Sequence, residues 1–200
     1  TEKVSWLQNR NILRITKVDR TEVRDIPNNT WRELRNPDPT TEQFYVSTRS
    51  QVARIYPDTT RGGVILKIYN MRTGEEINSV SLDIPVIDAK WSADGSQLMY
   101  WNSEDSLVVY DPFLHEEVIK INSQHGITSA GWTDDSSSIY IISTINQEDR
   151  TDSIYAQYDA HTGTEQFEIV HNAPLNGVYV LNDHQIMTST VVEDSARFHS

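Results

Sequence analysis

Cysteine is absent from this chain of 200 residues, which excludes disulfide frameworks, thiolate nucleophiles and cysteine-based zinc sites together. Positive charge is scarce as well. Lys and Arg total 17 against 29 Asp and Glu, a formal net charge of −12 with a pI near 4.8. Such a surface repels phosphate backbones, so nucleic acid is excluded as a partner of this chain and basic protein patches or cationic peptides are favoured. Long apolar runs are missing too. No stretch approaches the roughly 20 residues needed to span a bilayer, so insertion into a membrane by this chain is not expected. The amino-terminal "TEKVSWLQNRNILR" has no apolar core of the signal-peptide kind. No window of about 12 residues carries a helical stripe. The apolar share of 37% and charged share of 23% are those of a globular chain.

Chemistry-bearing patterns are equally sparse. The six histidines (His115, His125, His161, His171, His184 and His199) never pair at i, i+2 or i, i+4, and there is no H-E-x-x-H. No G-x-S-x-G elbow is present. "TTRGGV" (59–64) lacks the Gly-Lys-Ser/Thr ending of a phosphate loop. "SADGS" (92–96) fails as a calcium loop, because no acid follows Asp94 until Glu104. Asp-Gly between apolar runs is a hairpin signal, since Gly tolerates positive φ. The sequence assigns no catalytic residue, no metal ligand and no cofactor, and predicts no enzymatic activity within this chain.

What is there is strand signal. "VILKIYN", "LVVYD", "SIYIIST" and "IYAQYD" are short Val/Ile/Tyr-rich runs bounded by Asp, Asn, Gly or Ser. The runs also align with one another. "YNMRTGEE" (69–76), "YDPFLHEE" (110–117) and "YDAHTGTE" (158–165) superpose without gaps. "KWSADGSQLMY" (90–100) matches "GWTDDSSSIYI" (131–141), with Trp91 and Trp132 separated by 41 residues, the same spacing as Tyr69 to Tyr110. A unit of about 40 to 50 residues with four short strands is the signature of a β-propeller blade. One four-stranded meander cannot bury both faces, so blades stack around an axis.

The expected fold is therefore all-β, a β-propeller of four-stranded blades. The expected divisions are a partial blade at 1–28, full blades at 29–85, 86–126 and 127–174, and a partial blade at 175–200. The two partial blades offer too many strands to merge into one. This favours an arc of a larger propeller, closed by further blades or a partner chain, over a four-bladed ring.

"WSADGSQLMYW" and "WTDDSSSIYI" resemble the W-S-P-D-G-x-x-[IL]-x-[FY] repeat of WD40-like propellers, as found in TolB-type proteins and in the amino-terminal propellers of dipeptidyl-peptidase IV and prolyl oligopeptidase. Ala93 replaces the proline, and Asp135-Ser136 replaces Asp-Gly in the second copy. "VSWLQNRNILRI" (4–15) is similar to a W-L-[NQ]-R-x-Q-N stretch of the dipeptidyl-peptidase IV propellers. The resemblance implies architecture far more than activity.

Three functional readings follow. The favoured one is a non-catalytic module of a larger protein that binds a protein or peptide. The second, implied by the resemblance, is the substrate-gating propeller of a serine peptidase of dipeptidyl-peptidase IV type. The third is the sensory domain of a membrane-anchored regulator. Two segments read as long loops on one side of the blades, 47–63 and 143–152, where binding residues commonly reside. Their candidate partner-binding residues are Arg49, Arg54, Tyr56 and Arg61 in the first, and Glu148, Asp149 and Arg150 in the second.

Overall fold

A computed structural model of the chain describes residues 3–7, 12–16, 20–25, 30–35, 43–47, 49–61, 63–71, 73–82, 85–102, 105–146, 151–172, 175, 177–182 and 185–189, with side chains described chiefly from Ser47 to Leu175. Every described element is a strand. β1 (Lys3–Leu7), β2 (Ile12–Thr16), β3 (Arg20–Asp25) and β4 (Thr30–Arg35) form a first sheet in sequential order. The second is built from β5 (Gln43–Val46), β6 (Gln51–Pro57), β7 (Val64–Asn70) and β8 (Glu76–Leu82). The third comprises β9 (Asp88–Trp91), β10 (Leu98–Trp101), β11 (Ser106–Asp111) and β12 (Glu116–Asn122), and the fourth β13 (Ile127–Trp132), β14 (Ser138–Asn146), β15 (Thr151–Asp159) and β16 (Glu165–His171). β17 (Gly177–Asn182) and β18 (Gln185–Ser189) form a hairpin. No helix among the described residues is long and apolar enough to cross a membrane. The chain divides into two compact units, Thr1–Asn102 with Val109–Val118, and Ser103–Val108 with Ile119–Ser200.

Burial grades across each sheet and explains the residue choice. In the middle strands consecutive residues are buried, as in "LMYW" of β10 and residues 107–110 of β11. Side chains of adjacent residues point to opposite faces, so both faces of these strands are covered, and continuous apolar runs are required. The outer strands differ. Only Ile119 and Ile121 of β12 are buried, two residues apart on one face, and β16 exposes Ile169 and Val170.

Two expectations drawn from the sequence are revised. A new blade was expected to begin at residue 29, yet Thr30–Arg35 pairs with β3, Trp31 standing opposite Arg24. The boundary near residue 28 therefore moves beyond Arg35: a four-residue connection between β3 and β4 favours antiparallel pairing of neighbours. Neither segment read as a long loop is one: in 143–152, residues 143–146 belong to β14 and 151–152 to β15, and 47–63 likewise contains a strand. Residues 51–57 are β6, which pairs with both β5 and β7 and buries Val52, Ala53 and Ile55. Its Gln, Arg and Pro content conceals the strand in the sequence.

The fourth sheet shows how a glycine is used. Gly131 stands opposite Tyr140, whose ring lies over the bare backbone. That ring stacks 6.0 Å from Tyr155, which in turn stacks 5.9 Å from Phe167. The buried Tyr155 hydroxyl donates to Gln157 Oε1 (3.0 Å), and Gln157 Nε2 donates to Gln166 Oε1 (3.0 Å). A Cβ on Gly131 would come within 2.7 Å of Tyr140 Cε1 and closer still to the far end of the ring. Gly131→Ala should therefore displace Tyr140 from the aromatic stack and destabilise the chain by about 1–3 kcal/mol. Urea unfolding measures this, and an unchanged midpoint would show that the ring is free to move aside.

Candidate interaction surface

In three sheets the turn that follows the first strand is held by a Ser or Thr hydroxyl that accepts backbone N–H groups. Ser92 Oγ accepts the Gln97 N–H (3.0 Å), and Thr133 Oγ1 accepts the Ser138 N–H (3.0 Å). Ser47 Oγ accepts the N–H groups of Arg49 (3.2 Å) and Gln51 (3.0 Å). Asp94 Oδ1 accepts the Ser92 hydroxyl (2.7 Å), the Ser96 N–H (3.0 Å) and the Ser96 hydroxyl (2.7 Å). Asp135 Oδ1 repeats this with Thr133 (2.7 Å) and with the N–H and hydroxyl of Ser137 (2.9 Å each). Ser50, Gly95 and Ser136 supply the positive φ of each turn. The carboxylates of "SADGS" and "TDDSS" thus hold backbone, as Asx turns do.

The second sheet departs from this plan. Its turn is one residue shorter, and Arg49 stands where the aspartate is expected. The Arg49 guanidinium reaches the next sheet, where Nη2 donates to Asp94 Oδ2 (2.9 Å) and Nε donates to the Asp94 carbonyl (3.0 Å). Both carboxylate oxygens of Asp94 are therefore occupied. Partial burial pushes this carboxyl up, but the Ser96 N–H, the Ser92 and Ser96 hydroxyls and the Arg49 charge outweigh it, and the carboxyl falls to about 2.

A second family of turns, at the same end of the sheets, joins the third strand to the fourth. Asn70 Oδ1 accepts the Thr73 N–H (3.1 Å). Asp111 Oδ1 accepts those of Phe113 (2.8 Å) and Leu114 (3.0 Å), and Asp159 Oδ1 those of His161 (2.9 Å) and Thr162 (2.8 Å). Each turn ends on positive φ, at Gly74, His115 and Gly163. His115 therefore occupies a position that its counterparts give to glycine. The turn tips differ in chemistry. Thr73 and His161-Thr162 are polar, whereas Phe113 and Leu114 are 55% and 62% exposed. The Arg49 guanidinium lies 5.9 Å from the centre of the Phe113 ring.

Of the residues singled out in the sequence, the described ones, Arg49, Arg54, Tyr56 and Arg61, do not come together. Arg49 lies in the turn before β6 and Arg61 in the turn after it, at opposite ends of a seven-residue strand, about 23 Å at 3.3 Å per residue. Arg54, between them, is 5% exposed with its guanidinium 5.6 Å from the Tyr69 ring centre, so it packs instead of facing solvent. Tyr56 is half-buried and Arg61 is exposed. At the Arg61 turn, Asp58 Oδ1 accepts the Thr60 N–H (2.9 Å), the Thr60 hydroxyl (2.6 Å) and the Arg61 N–H (3.2 Å). Glu148, Asp149 and Arg150 lie outside the described residues, in a connection that follows β14 as the Arg61 turn follows β6. Phe113 and Leu114 were passed over. Their signal is the gap-free alignment itself, in which "PFLH" replaces "MRTG" and "AHTG". Among the described residues no group of three His, Asp or Glu side chains is placed to hold a metal ion.

Solved structures share this architecture. Over its whole length the chain is similar to the β-propeller domain of Cps50 (Swd1) from Myceliophteria thermophila, with TM-score 0.64, 15% identity and 68% of that chain covered. The fold is a β-propeller. The chain also matches the computationally designed Ika8 protein, over 94% of this chain and 55% of that one, with TM-score 0.64 and 15% identity. The tricorn protease matches over 78% of this chain, with TM-score 0.57 and 18% identity, but the chain spans 15% of that protein's length. The chain thus spans about two thirds of the Cps50 (Swd1) propeller domain's length. No protein-family model matches the chain, and no curated protein matches it in sequence.

Two expectations follow for the propeller's turns. The Asp94 carboxyl ionises near 2 in the folded state against an ordinary 3.8, so its stabilisation is full above about pH 4 and is lost as the pH falls through 2. That difference corresponds to roughly 2.4 kcal/mol before screening, and about 1 kcal/mol for a half-exposed pair. Asp94→Asn should cost that much at neutral pH, and the gap from the parent in urea unfolding should close between about pH 4 and pH 2. A gap that stays constant with pH would disprove it. At the other turn, His115→Gly should raise stability by about 0.5 kcal/mol, relieving left-handed strain against a smaller entropic cost. Thermal unfolding tests this, and a lowered midpoint would mean that the imidazole makes contacts the turn needs.

Proposed function

We propose that this β-propeller chain is a non-catalytic module of a larger protein and binds a protein or peptide partner. One observation carries the reading. The residues that the blades share are taken up in holding turns and packing faces, whereas Arg49, Phe113 and Leu114 break the repeat and are exposed on those turns. Rigid turns that present non-repeating side chains are suited to recognition, because little order is lost on binding. The exposed Arg61 turn offers a further contact at the other end of β6. A second reading is a propeller that gates substrate entry to a serine peptidase. Its support is the likeness to the tricorn protease over 78% of this chain.

Selection of displayed random peptides on the full-length protein tests both readings. The binding module should return a reproducible set of peptides with dissociation constants around the micromolar range, recovered intact. Cleavage of bound peptides at a fixed bond would favour the peptidase reading. Recovery of no reproducible peptide would remove the binding reading.

A further inference from the structure

We propose that the turn Asp111–His115, with Arg49 beside it, docks a peptide segment in which an apolar side chain is flanked by lysine or arginine. The inference rests on the binding-module reading and gives it a place and a chemistry. Phe113 and Leu114 are adjacent, 55% and 62% exposed, and correspond to polar residues in the other two turns. Covering such a pair is favourable through removal of apolar area from water. The turn is also already ordered. Asp111 Oδ1 accepts two backbone N–H groups, the His115 N–H donates to the Asp111 carbonyl (2.9 Å), and His115 holds φ of 61°. Arg49 walls one side of the Phe113 ring while its own charge is neutralised by Asp94.

Charge selects the occupant. With Arg49 and Asp94 cancelling, Asp111, Glu116 and Glu117 leave the neighbourhood of the apolar pair negative, and Glu116 and Glu117 are exposed. The Tyr100 hydroxyl donates to Glu117 Oε1 (3.0 Å), which fixes that carboxylate in place. A second copy of the chain would bring another net charge of −12, and an anionic lipid surface would be repelled in the same way. A basic segment with an apolar anchor matches both features, as electrostatic complementarity between partners requires.

Peptides selected on the full-length protein should carry Leu, Ile, Phe, Trp or Met beside Lys or Arg. Their affinity, followed by fluorescence anisotropy, should fall at least about tenfold in the Phe113→Ser/Leu114→Ser variant. It should also fall in Glu116→Lys, and as salt rises from about 50 to about 500 mM. Both apolar side chains are largely exposed, so an unchanged circular dichroism spectrum is expected. Should the double variant misfold, Leu114→Ser and Glu116→Lys carry the same readout. Peptides that bind the folded variants as well as the parent would overturn the inference and leave the binding-module reading standing, whereas recovery of no peptide removes both. Acidic selected peptides would overturn it as well. So would a dimer, or binding to phosphatidylserine vesicles, that is lost in the double variant while peptide binding is retained.

Discussion

Burial on both faces of the middle strands is the constraint on which this structure depends. Leu98, Met99, Tyr100 and Trp101 are consecutive and all buried, and Leu107 to Tyr110 behave alike. A strand can be covered on both faces only if its sheet has a layer on each side. A single meander of four such strands has no stable existence in water, so the sequence must supply the same meander repeatedly. The 41-residue spacing of Trp91 to Trp132 and of Tyr69 to Tyr110 is the consequence in the chain. The outer strands are released from the constraint, and β12 and β16 become mostly charged or polar.

The turns are the second consequence. Sheets built to one plan meet their neighbours well when their strands begin and end alike, and short polar side chains enforce this. One hydroxyl and one carboxylate fold the first turn, and one Asn or Asp folds the third. These groups are engaged in local hydrogen bonds, so the turns account for the recurrence of Asp and Ser. Arg49 is instructive because it occupies the same place with the opposite charge. It no longer holds its own turn by a carboxylate, and instead ties that turn to the aspartate of the next sheet. The position that elsewhere closes a turn here joins two sheets, beside the apolar tip formed by Phe113 and Leu114.

Much of this was legible in the chain before any coordinates. Trp91, Trp132 and the three tyrosines mark equivalent strand ends, and Asp94-Gly95 declares its hairpin. These signals are local: a turn residue acts on its own backbone, and alternation or continuity of apolar residues reports directly on one strand. The boundary at residue 28 was not legible, because the pairing of Thr30–Arg35 with Arg20–Asp25 is decided by the length of the connection. β6 was hidden because Arg54 and Gln51 are polar by composition but buried by packing, Arg54 against Tyr69. Polarity predicts exposure only when no partner is available, and the partner belongs to another strand.

By itself, then, the sequence determined the all-β class, the four-stranded repeat and the chemistry of the turns, since each follows from neighbours in the chain. The tertiary structure decided which strand completes which sheet, and it separated Arg49 from Arg61 across the length of β6. It also placed Arg49 over Phe113 and onto Asp94, across 64 and 45 positions of sequence. Those juxtapositions depend on the stacking of whole sheets, and no local pattern encodes where a side chain from one blade meets the backbone of the next.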